Sequence, residues 1–377
     1  MKMKSLFWSA CCTLAICSGL TACSDDENDE PVVPPTGDTD VVTHTQAYIL
    51  NEGAMGGNNA SLGRYCPDST HSYVADCYLA ANGRQLGDLA QDLKVYGDRL
   101  YVVVSGSKYI AKLDKNGKQL AQYNFTAEQG EPRTLVPAGG DLYVTAYDGA
   151  VHRLDTASLQ HTGSLMIAEG MRLEGMTECN GKLYAAIGYK VEPATEPGAW
   201  DTYIYQNRVA VIDVATFKKE KEITVGSNPS VLATVDGEVY LYSIGDYYLE
   251  GSLIQRIQPD GSVDSIAVAN KMVVAGTELL LVNAVTDWTT YATTNHFARY
   301  DAVSETLSNG SFLHGADELE SATIYMMASD PTNGDIYVGT TDYVSTGDIY
   351  RFNAEGNLIG KFDCGGINPS KMVFMNE

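Results

Sequence analysis

The sequence predicts an all-β fold, a seven-bladed β-propeller closed by a C-terminal strand, and three observations lead to this prediction. A short strand pattern, such as Leu142-Tyr143-Val144-Thr145, occurs seven times. Each copy is followed by a second strand and a turn rich in Gly, Asn and Asp. No helical period of useful length separates the copies. The copies are centred on Tyr48, Tyr101, Tyr143, Tyr184, Tyr240, Leu280 and Tyr337.

Each repeat unit supplies short antiparallel strands, which we letter A to D from the propeller axis outwards. Strand B is the recurring pattern itself. Strand C follows, as in Arg153-Leu154-Asp155, and runs into a turn such as residues 259–261. Strand D comes next, as at residues 222–225, and a Gly/Pro junction such as residues 226–229 leads to strand A of the next unit. Seven such units account for residues 46–377.

The two ends of the repeat region predict how the ring closes. The first unit begins near Gln46 and lacks a strand A, whereas residues 371–375 form a strand with no unit after it. We therefore expect the C-terminal strand to complete blade 1. Closure removes two sheet edges that would otherwise template aggregation.

Composition excludes several classes of protein. Hydrophobic residues make up 44% of the chain and charged residues 19%, which is enough apolar surface for a large core. The chain has 48 Asp and Glu against 25 Lys and Arg, a balance that argues against nucleic-acid binding. Six scattered His and the spacings of Cys66, Cys77, Cys179 and Cys364 match no metal site, and no cofactor is predicted. Cys66 and Cys77 fall on predicted neighbouring strands, so either a disulfide or buried free thiols fit.

The N-terminus predicts export and a lipid anchor. Lys2 and Lys4 precede an apolar run at residues 6–17, which is too short to span a bilayer, so residues 1–22 are interpreted as a signal peptide. The signal ends in Leu-Thr-Ala before Cys23, which resembles a bacterial lipobox and predicts lipidation of Cys23. The alternative is an ordinary signal peptide followed by a chance Cys.

Residues 23–45 are predicted to be a tether. An acidic run at residues 24–30 resembles the signal that sends lipoproteins of some Gram-negative gut anaerobes to the cell surface, although a plain solvated linker also fits. Pro31, Pro34 and Pro35 make the remainder a stiff polar spacer. The predicted location is the outer membrane, facing the extracellular side and held by lipid alone.

The connections between strands B and C vary most in length. From the central residue of each strand B to the matching position of strand C, the seven separations are 18, 13, 12, 29, 18, 21 and 16 residues. In a propeller the B–C loops and D–A junctions share one face, which predicts a functional site there. Bulky aromatic and polar residues concentrate in these loops and suggest a ligand surface, although they could instead pack loop against loop. They are Trp200, Trp288, Tyr147, Tyr189, Tyr203, Tyr205, Tyr247, Tyr248, Tyr291 and Tyr343, interleaved with Asn51, Asn58, Asn59, Asp246, Asp287 and Asp342.

Three arginines lie at or near D–A junctions. Arg84, Arg133 and Arg172 are expected to line the central opening. Alternatively, Arg84 or Arg133 pairs with a nearby acid such as Asp88 or Glu131.

Four segments of the chain resemble a known family. Residues 50–60, 81–92, 101–107 and 368–371, the last reading Asn-Pro-Ser-Lys, are similar to segments of the YncE-like propellers of surface lipoproteins. Within that group the chain most resembles the cobalamin-binding BtuG family, over residues 46–375. One departure is residues 168–175, which replace the expected Gly-x-x-Pro turn between blades 3 and 4 and would line the binding face.

The resemblance implies a propeller that holds a corrinoid over its central face and passes it to a TonB-dependent transporter, with no covalent chemistry and hence no enzymatic activity. A corrin is broad, flat and amphipathic, and calls for aromatic area with many hydrogen-bonding groups. The residues predicted to bind the ligand are Asn51, Glu52, Met55, Asn58, Asn59, Arg84, Ser105, Arg133, Tyr147, Arg172, Tyr189, Trp200, Tyr205, Tyr247, Tyr248, Trp288, Tyr291, Tyr343 and Asn368.

Two other functions fit the sequence. Some propellers are calcium-dependent lactonases, and Glu52, Asp92 and Glu174 are the candidates in this chain for a central ring of acids. No nucleophile motif accompanies them. The second alternative is a surface module that binds a protein or a glycan through the same loops.

Overall fold

The computed structural model describes residues 45–67, 73–196, 198–247, 249–287, 289–290 and 292–376. In these residues the strands form seven four-stranded antiparallel sheets, one for each repeat unit. The prediction of a seven-bladed β-propeller is confirmed. The predicted signal peptide, Cys23 and the tether up to residue 44 lie outside the described residues.

The strands are numbered in chain order, and within each blade they run from strand A to strand D. Blade 1 contains β28 (Pro369–Asn376), β1 (Thr45–Asn51), β2 (Ser61–Tyr65) and β3 (Tyr73–Val74); blade 2, β4 (Ala90–Tyr96), β5 (Arg99–Val104), β6 (Tyr109–Leu113) and β7 (Gln119–Asn124); blade 3, β8 (Pro132–Ala138), β9 (Asp141–Ala146), β10 (Ala150–Asp155) and β11 (His161–Met166); blade 4, β12 (Arg172–Cys179), β13 (Lys182–Glu192), β14 (Thr202–Asp213) and β15 (Lys218–Thr224). Blade 5 contains β16 (Pro229–Val235), β17 (Glu238–Ser243), β18 (Leu253–Ile257) and β19 (Val263–Ala267); blade 6, β20 (Lys271–Ala275), β21 (Glu278–Asp287), β22 (Ala292–Asp301) and β23 (Thr306–Asn309); blade 7, β24 (Ile324–Ser329), β25 (Ile336–Thr340), β26 (Asp348–Phe352) and β27 (Leu358–Asp363).

The C-terminal strand closes the ring as the sequence predicts. Strand β28 pairs antiparallel with β1, in a register that places Asn376 opposite Thr45 and Val373 opposite Tyr48. On its other sides β28 packs against β4 of blade 2 and β24 of blade 7. Both ends of the described chain therefore lie side by side in blade 1.

The hydrophobic core lies in layers between neighbouring blades. One layer packs Val103 and Ile110 of blade 2 against Leu142 and Leu154 of blade 3. Burying a side chain of this size stabilises the fold by about 1.5–3 kcal/mol. The layers form because alternate residues of each buried strand face the blades on its two sides.

The recurring tyrosine of strand B ties one blade to the next. Tyr48 of blade 1 is buried and donates a hydrogen bond of 2.7 Å from its hydroxyl to the carbonyl oxygen of Lys115, in the C–D turn of blade 2. Tyr101 of blade 2 likewise donates to the carbonyl oxygen of Thr156 in blade 3, at 2.8 Å. In blades 1 and 2 the tyrosine thus fills the core with its ring and satisfies a turn carbonyl with its hydroxyl, whereas the hydroxyl of Tyr240 in blade 5 donates to Glu238 of its own strand.

Within the part of the chain that the structure describes, two short helices interrupt the strands, and neither is predicted by the sequence. Helix α1 (Cys77–Asn82) stands in the junction between blades 1 and 2. The carboxylate of Asp76 accepts a hydrogen bond from the amide of Leu79 and caps α1, and Gly83 ends it with a φ of +66°. A single 3-10 turn, Asp317–Glu320, lies between blades 6 and 7.

The assignment of Cys77 to a strand is therefore wrong, because the Asp76 cap and Gly83 favour a helix over this short apolar segment. Cys66, Cys77, Cys179 and Cys364 are free thiols, so the alternative of free cysteines holds and the Cys66–Cys77 disulfide is not formed. Within the described ranges, no helix is long and apolar enough to cross a membrane.

Candidate functional site

The upper face of the propeller, which is the face that carries the B–C loops and D–A junctions, is built out by two long hairpins. In blade 4 the strands β13 and β14 stay paired out to Glu192 and Thr202, and in blade 6 β21 and β22 stay paired out to Asp287 and Ala292. The extra length that the sequence assigns to loops is therefore mainly strand. Alternating aromatic, β-branched and polar residues favour continued pairing over a loop.

Five tyrosines form a row across blades 3, 4 and 5 on this face. This tyrosine row consists of Tyr147, Tyr189, Tyr203, Tyr205 and Tyr247. Ring centroids lie 6.3 Å apart for Tyr147 and Tyr189, and 5.6 Å apart for Tyr189 and Tyr203. They lie 6.4 Å apart for Tyr189 and Tyr205, and 5.7 Å apart for Tyr205 and Tyr247. Tyr189, Tyr203 and Tyr205 are strand residues of the blade 4 hairpin, so their assignment to a loop is corrected.

Two arginines lie against the row. The guanidinium carbon of Arg172 is 4.5 Å from the ring centroid of Tyr147 and 5.6 Å from that of Tyr189. The guanidinium carbon of Arg133 lies 5.1 Å from the Tyr147 centroid. Cation–π contacts of this kind hold both arginines at the surface of the row. Both arginines stand near the upper ends of innermost strands, Arg133 on β8 and Arg172 on β12.

Arg133 is fixed by Glu174 of the next blade. Its Nε and Nη2 atoms lie 3.1 and 3.0 Å from Oε2 of Glu174, and the Tyr147 hydroxyl donates to Oε1 at 2.8 Å. Burial, the largest single effect, lowers the pKa of Arg133, but the Glu174 carboxylate together with Tyr147 and Tyr189 outweighs it, and the net pKa is raised. The partner is Glu174 rather than the predicted Glu131, because neighbouring innermost strands place these two side chains against each other across the blade boundary.

A second polar cluster joins blades 1, 2 and 7 on the upper face. The Glu52 carboxylate accepts hydrogen bonds from the Gln91 amide and the Tyr325 hydroxyl, and Tyr325 packs edge-on against Tyr343 at 5.9 Å. Burial, and then Glu52, raise the pKa of Tyr325, so this phenol stays protonated as a donor. Sequence reasoning missed Gln91 and Tyr325. Their position near the upper end of a strand A is the signal that would have found them.

Three of the predicted ligand-binding residues are buried supports of the upper face. Asn51 is fully buried and donates to the Ser61 hydroxyl at 3.0 Å, and Ser105 is 1% exposed. Asn368 donates to the Gly53 carbonyl at 3.1 Å and accepts from Thr341. The side chains of Asn51 and Asn368 thus support the loops around them, and all three residues leave little surface for a direct ligand contact.

The other residues predicted to bind the ligand lie either against an outermost strand or exposed on the upper face. Arg84 is exposed and donates to Gln119 and Gln122 of β7, an outermost strand. Its expected place at the central opening and its pairing with Asp88 are therefore wrong, because these hydrogen bonds hold its side chain against β7. On the upper face Met55, Trp200 and Tyr343 are exposed by 86%, 92% and 58%. Asn58 is also exposed, and Asn59 accepts a hydrogen bond from the Ala54 amide within its loop. Tyr248, Trp288 and Tyr291 lie outside the described residues.

The unusual junction between blades 3 and 4 has a steric explanation. A bulge interrupts the pairing of β12 between Leu173 and Met176, and Gly175 lies in it. A Cβ atom on Gly175 would be 2.2 Å from the carbonyl oxygen of Ser230 in blade 5. The backbones of two innermost strands therefore approach each other more closely than any side chain permits.

We expect Gly175→Ala to destabilise the protein by at least about 2 kcal/mol, because the backbone of blade 5 must move to admit the methyl group. Urea unfolding followed by circular dichroism measures the change. Gly360→Ala in β27, where a Cβ meets nothing within 4 Å, is the matched control and should stay close to the wild type. Equal midpoints for the two variants would contradict the steric explanation.

Comparison with known families adds an identity to this geometry. The family model described as "Domain of unknown function (DUF5074)" matches residues 46–375. The chain belongs to this family. No curated protein matches the DUF5074 chain.

Several solved structures share the propeller fold. A functionally unknown protein from Desulfotomaculum acetoxidans DSM 771 is 12% identical over 87% of the DUF5074 chain and 98% of its own, with a TM-score of 0.57. Kuenenia stuttgartiensis hydrazine synthase is 14% identical over 69% of the DUF5074 chain and 74% of its own, with a TM-score of 0.53. Streptogramin B lyase is 13% identical over 73% of the DUF5074 chain and 82% of its own, also with a TM-score of 0.53. At these identities the likeness shows the fold alone.

Proposed function

We propose that this DUF5074 propeller captures a corrinoid, cobalamin or a related cobamide, on its upper face and passes it to a TonB-dependent outer-membrane transporter. The proposal includes a lipid anchor on Cys23 and a position on the extracellular side of the outer membrane. It involves no covalent chemistry, so the protein acts as a binding module and not as an enzyme. The resemblance of residues 46–375 to the YncE-like and BtuG propellers suggested this interpretation, and the geometry of the upper face supports it.

The tyrosine row is the observation that carries the proposal. Its rings, backed by Arg133 and Arg172, form a continuous aromatic surface across three blades. A corrin ring needs such area for its apolar faces, and its peripheral amides need donors and acceptors. Tyrosine hydroxyls and the Arg172 guanidinium supply them beside the rings. Tyr247 is 69% exposed, so this edge of the row is open to a ligand.

The alternatives gain less support. The three acids considered for a calcium-dependent lactonase are divided among different partners: Glu52 with Tyr325, Glu174 with Arg133, and Asp92 with the Leu135 amide at 3.0 Å. Each carboxylate is held by protein donors, which does not favour a shared ring of metal ligands. A surface module for a protein or glycan would use the same loops, and crosslinking in intact cells separates it from the proposal. A corrinoid carrier should enrich a TonB-dependent receptor, whereas a passive coat protein should not.

Titration of the protein starting at residue 24 with cyanocobalamin tests the proposal by isothermal calorimetry. We expect binding at micromolar ligand or tighter. Tyr189→Ala should weaken binding by about tenfold or more, because Tyr189 contacts three other members of the row and central aromatic contacts dominate binding energy. Arg172→Ala should act in the same direction.

The matched control is Tyr96→Ala. Tyr96 is a partly exposed tyrosine at the end of β4, on the face opposite the loops. It should leave the affinity unchanged. Absence of binding by the wild type at micromolar cyanocobalamin, or equal affinities of the Tyr189 and Tyr96 variants, would reject the proposed function.

A further inference from the structure

The axis of the propeller contains a channel that the corrinoid proposal does not use. Its cavity volume is about 450 Å³, and innermost strands from blades 1, 2, 5, 6 and 7 line it. Side chains of a strand alternate between its two sides, so residues two apart face the same way. In three of these strands, a polar residue that lines the channel is followed two positions later, nearer the lower face, by an apolar one. These pairs are Lys371 and Val373, Lys271 and Val273, and Tyr325 and Met327.

The charge of the channel wall is opposite to that of the protein. The formal net charge of the chain is −23, yet the described wall contains Lys94, Lys271 and Lys371 and no Asp or Glu. Concentrating three cations in one narrow space is costly for folding unless a partner offsets them. The lysines therefore mark a place where a negative charge would be stabilised.

Protein groups neutralise these lysines only in part. Asp92 lies behind the wall at 2% exposure, and its Oδ1 atom is 3.9 Å from the Nζ atoms of both Lys94 and Lys371, too far for a hydrogen bond. Oδ1 accepts no hydrogen bond from the described residues. Lys271 forms no ion pair with any described residue, and its Nζ atom lies 5.9 Å from the centroid of the Tyr325 ring.

Desolvation accompanies this charge imbalance. Burial lowers the pKa of Lys271, and it lowers the pKa of Lys371 against the opposing effect of Asp92. The side chain of Lys371 keeps 41% of its area accessible, so it faces the open space of the channel. Lys271 is only partly exposed, and no described residue accepts a hydrogen bond from its ammonium group.

We propose that the central channel binds a small organic acid, with its carboxylate among Lys94, Lys271 and Lys371 and its hydrocarbon part against Val273, Met327 and Val373. The lysines supply charge-assisted donors for the carboxylate, and the apolar residues farther along the strands take the hydrocarbon chain. A cavity of this volume accommodates a molecule of this class. The site shares no residue with the tyrosine row, so a test of organic-acid binding is independent of corrinoid binding.

Hexanoate is the probe that tests this site, with acetate and inorganic phosphate as comparators at constant ionic strength and without any corrinoid. We expect calorimetry to show hexanoate binding that is at least about tenfold tighter than that of acetate, because burial of four additional carbons favours it. Phosphate binding as tight as hexanoate binding would overturn the assignment to an organic acid. Absence of hexanoate binding at millimolar concentration would overturn the site itself.

Variants separate the channel from general charge effects. Lys271→Gln should weaken hexanoate binding by about tenfold or more, since it removes a poorly hydrated charged donor. Lys218→Gln, at an exposed lysine that begins β15, makes the same change of charge outside the channel and should bind as the wild type does.

Thermal unfolding guards against a simple folding defect. Lys271→Met should melt no lower than the wild type without ligand, because it removes a desolvated charge, and should lose the rise in melting temperature that hexanoate gives the wild type. An equal hexanoate-dependent rise in both proteins would contradict the proposal.

Discussion

A chain that ends at residue 368 is expected to fail to form a monomeric propeller. The deletion removes β28, which supplies strand A of blade 1 and every backbone partner of the inner side of β1. It also removes the buried Met372 and Met375 and the surface on which β4 and β24 pack. Strand β1 carries Ala47, Tyr48, Ile49 and Leu50 and would be left as a long apolar edge, which promotes aggregation.

Size-exclusion chromatography and thermal unfolding measure this outcome. The truncated chain should elute as aggregate or unfold without a cooperative transition, whereas a chain that lacks residues 1–44 should behave as the wild type. Addition of a synthetic peptide of residues 368–376 should restore some monomer, because the missing strand binds in an open edge. A truncated chain that remains monomeric with an unchanged melting temperature would refute closure by β28.

The second large effect is expected from Glu174→Gln. This change leaves the Arg133 guanidinium partly buried without its carboxylate and weakens the contact to the Tyr147 hydroxyl. Removing one partner of a buried ion pair costs about 3 kcal/mol or more. The free energy of unfolding in urea should fall by that amount, and cyanocobalamin binding should weaken because Arg133 and Tyr147 lose their fixed positions.

Glu169→Gln is the matched control, since Glu169 is exposed in the same junction and carries the same charge. It should change the unfolding free energy by less than about 0.5 kcal/mol. The double variant Arg133→Met with Glu174→Met should be more stable than Glu174→Gln alone, because no isolated charge remains buried. A Glu174→Gln protein as stable as the Glu169→Gln control would show that the pair contributes little.

The fold could be predicted because its determinants are local and repeated. Three features recur along the chain: the tyrosine of strand B, the Asp, Asn or Gly of the following turn, and the Gly/Pro junction. Each repeat unit therefore supports the same assignment of strands and turns. Helix α1 occurs only once and is six residues long. In the sequence, α1 is indicated only by the Asp76 cap and the terminal Gly83, and no other repeat unit supports that assignment.

The site could be predicted only in part, because its contacts cross blades. Aromatic enrichment pointed to the region of Tyr147 and Tyr189, where the structure brings several tyrosines together. Glu174, however, lies 41 residues from Arg133, and nothing local indicates that they meet. Lysines in strand A, such as Lys94 and Lys371, look in the sequence like ordinary solvated charges. Their crowding arises only when several innermost strands converge on one axis, which is a property of the closed ring.

The pairing of Thr45 with Asn376 places the first and last described residues next to each other. Strand β1 runs towards the loops and β28 runs away from them, so both of these residues lie on the face opposite the tyrosine row. A fluorescent label attached at residue 376 would therefore lie away from the row and leave it free for a ligand.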